Sequence, residues 1–76
     1  MIRIILILEG YLKNKYPSAC LTLNYSEPTT IGQVFKDAGV SSADVFFIKI
    51  GDSLVKEDYL ITSSTEIKIF PVINGG

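Results

Sequence analysis

The sequence predicts an α+β domain in which one helix packs on one face of a mixed sheet. Three observations lead there. Runs of β-branched and apolar residues stand near both ends, at 2–8 and 66–70. The stretch 19–25 alternates in polarity with period two. Between them lies one helix signature with its own start and stop. The 76 residues suit a single domain, 1–76, with 71–76 expected as a flexible C-terminal tail. A domain this small buries only about 60% of the surface its unfolded chain exposes, so its core must be dense in apolar residues. At 47% hydrophobic and a mean hydropathy of +0.35, this chain is dense enough.

Residues 2–8 are rich in Ile and Leu, end at Glu9-Gly10, and are too short to identify as a helix; they are expected as a buried strand. Residues 11–18, with Asn14 and Pro17, are expected as a loop carrying Lys13 and Lys15. In 19–25, Leu21, Leu23 and Tyr25 share one face and Cys20, Thr22 and Asn24 the other. That is a half-buried strand, antiparallel to the first. Glu27-Pro28-Thr29 then breaks the chain. Thr30 and Gln33 have the spacing of a capping box, Ile31, Val34, Phe35 and Ala38 follow at helical spacing, and Gly39 stops the helix. Residues 45–50 are a β-branched and aromatic strand ending in a Gly51-Asp52 turn. A short strand at 53–55 and a turn follow, then a last strand at 66–70. The first and last strands are expected side by side in the centre of the sheet.

Charges tell the two faces of each strand apart. Arg3 and Glu9 share parity with Ile5 and Ile7, which leaves Ile2, Ile4, Leu6 and Leu8 for the helix side. Lys49 marks Val45 and Phe47 as outward, and Glu66 and Lys68 mark Phe70 as outward. Ile5, Ile7, Phe47 and Phe70 are therefore expected as an apolar patch on the open side of the sheet. Such a patch is a candidate partner surface. The plainer alternative is strands rich in β-formers, with loops covering part of the patch.

The composition argues against several functions. Net charge is −1 and the isoelectric point about 5.1, so the clustered basic surface that nucleic acids require is not expected. No stretch approaches the roughly 20 apolar residues of a membrane span. The apolar run after Arg3 stops at Glu9, short of a signal-peptide core of roughly 7–15 residues. With one cysteine and no histidine, a Cys/His metal site is not expected, and the lone Cys20 suits a reducing, cytoplasmic setting. Cys20 itself is expected as a packing residue rather than a nucleophile. Enzymatic equipment is thin: there is no His base, no Ser/His/Asp set and no phosphate loop. Asp37, Asp44, Asp52, Glu57 and Asp58 are expected as solvated charges.

The ending Phe70-Pro71-Val72-Ile73-Asn74-Gly75-Gly76 is the exception. A chain-terminal carboxylate is anionic at neutral pH and a poor electrophile. To accept a nucleophile it must first become an acyl-adenylate or similar activated group. An enzyme doing this must draw the last residues through a narrow channel, where glycine's missing Cβ permits close approach. Pro71 stiffens the exit from the last strand, and Val72 and Ile73 would pack against a partner. The plainer alternative is a frayed end of small residues.

The order of elements, the Thr30-Ile31-Gly32-Gln33 helix opening and the Pro71-Val72…Gly75-Gly76 ending together resemble the ThiS/MoaD family of ubiquitin-like sulfur carriers. The resemblance implies a β-grasp fold over nearly the whole chain. It also implies a carrier rather than an enzyme, one that binds no cofactor and uses ATP through its activating partner. Gly76 would carry the adenylate and then the thiocarboxylate, and Gly75 would be the threading residue. Asn74, Ile73, Val72, Phe70, Phe47, Ile5 and Ile7 would meet partners. The implied partners are an E1-like adenylating enzyme, a sulfur donor and a large synthase subunit. The Phe-Pro-Val ending is more similar to MoaD, the small subunit of molybdopterin synthase, than to ThiS. Ser63-Ser64-Thr65 replaces the family's acidic-Gly-Asp turn, and one proline stands where two are common. A carrier is thus implied without its sulfur acceptor. Two other classes share the features: a ubiquitin-like modifier conjugated through Gly76, and a β-grasp binding module with an inert tail. A β-grasp iron–sulfur protein is excluded, since its cluster needs four cysteines.

Overall fold

Ile4, Leu6 and Leu8 alternate with charged or half-exposed residues, and in a computed structural model of the protein all three are fully buried. The structure describes residues 1–72. In chain order the elements are β1 (Ile2–Leu8), α1 (Leu12–Lys15), β2 (Cys20–Tyr25), β3 (Thr29–Thr30) and α2 (Ile31–Ala38). A 3-10 turn (Ser42–Asp44), β4 (Val45–Ile50), β5 (Ser53–Val55), β6 (Leu60–Ile61) and β7 (Thr65–Pro71) follow. Five strands form one sheet in the order β2-β1-β7-β4-β5. The first and last strands are central and parallel to each other, and all other pairings in this sheet are antiparallel. The core lies between one sheet face and α2. Ile4, Leu6, Leu8, Ile48, Ile67 and Ile69 of the sheet meet Ile31, Val34 and Phe35 of the helix.

The helix is set by its ends. Thr30 Oγ1 accepts from Gln33 N at 3.2 Å, and Gly39 takes the left-handed conformation with φ +76. Val40 N donates to Phe35 O, which closes the C-terminus in a Schellman pattern and buries Val40 beside it. Only half of the expected capping box forms: Gln33 Nε2 donates forward to Asp37 Oδ1 instead of back to Thr30. The free donors of Ile31 and Gly32 go to Tyr59 O and Glu57 O of the segment before β6. That leaves little for the Gln33 amide to satisfy at the N-cap. Tyr25 OH donates to Asp37 Oδ2 at 2.7 Å and ties β2 to the helix. Burial and this bond push the Tyr25 hydroxyl well above its usual pKa.

Four further features differ from what the sequence predicts. Residues 11–18 are not all loop: α1 forms one turn and buries Leu12 completely. A second, two-stranded sheet pairs β3 with β6 and buries Ile61. Val45 does not face outward. A bulge between Val45 and Phe47 leaves Phe46 as the extra residue, so Val45 pairs with Pro71 and packs on the core. An extra residue reverses the parity of everything before it. The tail, finally, does not begin at Pro71, which is buried within β7; Val72 N donates to Asp44 O at 3.2 Å.

Candidate functional site: the open sheet face and the exit of β7

The chain leaves β7 between two segments that fix its path. On one side Gly10, at φ +59, lies so close to Pro71 that an added Cβ would stand 2.9 Å from Pro71 Cγ. On the other, Val45 pairs with Pro71 and the Asp44 carbonyl accepts from Val72 N. The two sides are tied to each other. Lys15 Nζ donates to Asp44 Oδ1 at 2.8 Å, Tyr16 OH donates to Asp44 Oδ2 at 2.7 Å, and Ser41 N donates to the same Tyr16 oxygen at 3.0 Å. The Lys15 hydrogen bond, then that of Tyr16, hold the Asp44 carboxyl below its ordinary range; the same contact raises Lys15. Asp44 thus grips the exit with its backbone while α1 grips its side chain.

Beside this exit lies an aromatic step. Phe47 and Phe70 are cross-strand partners whose rings stack at 4.4 Å between centroids and 11° between planes. Phe46, 68% exposed because the bulge turns it out, meets Phe47 edge-on at 5.6 Å. Ile5 and Ile7 share the open face but are separated from the aromatic step by charge. Ile5 stands opposite Glu66, and Ile7 opposite Lys68. All four expected patch residues are half-buried. The open face therefore carries apolar side chains interleaved with ions. Phe46, Leu54 and Val55 also line a groove of about 370 Å3 along β4 and β5.

Of the expected site residues, Phe47 and Phe70 are brought together, Ile5 and Ile7 lie on the neighbouring strand, and Val72 is anchored at the exit. Ile73, Asn74, Gly75 and Gly76 lie outside the described residues. Cys20 is exposed and free rather than packed, since β2 is an edge strand whose outer face nothing covers. Glu57 is not simply solvated either, for its Oε1 accepts from Ser42 Oγ at 2.7 Å. Sequence reasoning missed the Lys15–Tyr16–Asp44 cluster and the turn that supplies it. The Leu12/Tyr16 spacing of four was the available signal for a helical turn. Among the described residues no three His, Cys, Asp or Glu side chains come together as a metal site, and no helix is long and apolar enough to cross a membrane.

The chain superposes on a putative molybdopterin converting factor, subunit 1, from Pyrococcus furiosus with a TM-score of 0.74, covering 96% of this chain and 100% of that one at 8% identity. Small archaeal modifier protein 1 from Haloferax volcanii matches in two structures, with TM-scores of 0.72 and 0.71, at 12% and 10% identity. These cover 97% and 96% of this chain and 99% and 100% of those. The fold is β-grasp. No protein-family model matches the sequence, and no curated protein matches it. The likeness is one of backbone path. At these identities it rests on the shared β-grasp arrangement of a helix on a mixed sheet, not on shared side chains.

Proposed function

We propose that this β-grasp protein is a cytoplasmic sulfur carrier whose Gly76 carboxyl is adenylated and then converted to a thiocarboxylate. It would serve sulfur transfer in molybdopterin or thiamine-type cofactor biosynthesis. One observation carries the reading: β7 is anchored up to Val72, beside the Phe47–Phe70 step, and the sequence continues from there into Gly75-Gly76. A docking face and a threading segment then adjoin, as activation of a chain end by a partner requires. The likeness to a molybdopterin converting factor subunit supports the pathway class. The roles follow. An E1-like enzyme holds the open face, draws Asn74 to Gly76 into its channel and uses ATP to form the acyl-adenylate. A sulfur donor then displaces AMP, and a large synthase subunit receives the thiocarboxylate. The carrier itself supplies no acid or base.

The likeness to small archaeal modifier protein 1 favours a second reading, in which a lysine amine attacks the activated Gly76 and an isopeptide forms. Intact mass distinguishes the two. With ATP, the cognate adenylating enzyme and a sulfur donor, a carrier gains about 16 Da as one oxygen of the anionic carboxylate is exchanged for sulfur. A modifier appears instead as a conjugate with the mass of two proteins less water. If neither species forms, and protein from the native host carries neither a thiocarboxylate nor a conjugate at Gly76, both readings fail.

A further inference from the structure

On the open sheet face two lysines oppose each other. Lys49 of β4 and Lys68 of β7 are direct cross-strand partners, and like charges directly opposite in a sheet destabilise it. Among the described residues the one ion pair is Lys15–Asp44, so neither ammonium has a carboxylate partner. Glu66, two residues before Lys68 on the same face, makes no pair with it. Their surroundings explain why the opposition matters. The row Cys20, Ile7, Lys68, Lys49, Leu54 runs across all five strands, and the Phe47–Phe70 step is the adjacent row. The two cations are thus flanked by Ile7, by Leu54 at 69% exposure, and by stacked rings.

We infer that this face receives a protein surface whose carboxylates are set among apolar side chains, with Lys49 and Lys68 as its electrostatic anchor. The inference rests on the carrier reading, in which the open face docks the adenylating enzyme, and it names the chemistry of that enzyme's surface. A carboxylate placed between the two ammoniums relieves their repulsion, while the rings and aliphatic side chains exclude water around it. Charge of this kind steers encounter and fixes register more than it adds affinity. A polyanion fits less well. Glu9 and Glu66 share the face with Arg3, Lys49 and Lys68, and the whole chain carries net charge −1. The two rings are also half-buried and stacked on each other rather than presented as a platform for bases.

The test uses the full chain and Lys68→Glu, the cognate adenylating enzyme, and a short single-stranded oligonucleotide as competitor. Lys68→Glu should melt at a higher temperature than the wild type, since a carboxylate would then stand opposite Lys49. Its Kd for the enzyme should rise about tenfold at low ionic strength, with the gap closing toward about 1 M salt, where the Debye length is about 3 Å. An unchanged or lower melting temperature would show that the opposition is not felt. An unchanged Kd, or wild-type protein that prefers the oligonucleotide, would overturn the inference. Failure of the carrier reading looks different: the enzyme neither binds nor adenylates the wild type. If it adenylates wild type and variant alike, this inference alone falls.

Discussion

Gly10 combines two demands that no other described glycine combines, a φ of +59 and the Pro71 ring where a Cβ would be. Gly51 shares the φ of +59 but has open space around it. Comparing the two isolates the contact from the conformation. Gly51→Ala should cost about 1–2 kcal/mol from left-handed strain alone. Gly10→Ala should cost more, because Pro71 or the loop must also shift. Urea midpoints measure both, and equal losses would show that Pro71 is not held by this contact. Asp44 makes a second residue-scale prediction. Lys15 and Tyr16 lower its pKa in the folded state. The stability this gives is fully present above the unfolded aspartate value of about 3.9, and is lost as pH falls through the lower folded one. Asp44→Asn should therefore melt below the wild type at neutral pH and converge with it in acid. A gap that stays constant with pH would remove the charged Asp44 carboxylate from the anchor.

At the scale of elements, α2 depends on one side-chain cap among several backbone ones. Thr30→Ala removes the bond to Gln33 N and should cost about 0.5–2 kcal/mol. Ile31 and Gly32 keep their donors bonded to Tyr59 O and Glu57 O, so the loss should fall in the lower half of that range. An unchanged denaturation midpoint would mean that the backbone bonds alone fix the helix start. This helix was legible in the sequence because its signals are local: a Thr/Gln spacing, four apolar residues at period 3.6, and a glycine stop. The alternation of Leu21, Leu23 and Tyr25 was legible for the same reason, and so was the central pairing of the first and last strands. The unread elements have no local signal of that length. Thr29–Thr30 and Leu60–Ile61 are strands only because each finds the other. The outward face of Val45 was lost to a bulge, and a bulge is visible only in the partner's register. Of the site, the Phe47–Phe70 pair followed from parity; the Lys49–Lys68 opposition needed the register as well. A charge at Phe47 tests this face: Phe47→Asp should weaken binding to the adenylating enzyme while the chain still folds, since Phe47 is only half-buried. Loss of folding in a melt would move the ring into the core, and retained binding would leave the step without a role.

For the molecule as a whole, the carrier proposal requires two regions to act together, a folded face and a short reactive end. Among the described residues the last backbone anchor is Val72 N on Asp44 O, and four residues follow it in the sequence. At about 3.3–3.6 Å per extended residue they reach no farther than about 14 Å. Under that proposal, an enzyme that holds the open face must offer its nucleotide within that distance, and the terminal carboxyl is the group that reacts. Deleting Gly76 should abolish the gain of about 16 Da while leaving the melting temperature nearly unchanged, because contacts of a chain end contribute little stability. Gly75→Val should slow activation sharply, since a β-branched side chain narrows both the accessible φ/ψ and the clearance in a channel. One residue appended after Gly76 should block the reaction although face and tail are otherwise intact. The three variants separate reach, clearance and the reacting group, and mass spectrometry after incubation with ATP, enzyme and sulfur donor scores them all. If the appended protein still supports its pathway without being trimmed back to Gly76, the terminus is not the reacting group. A binding module with an inert tail then becomes the better account of the fold.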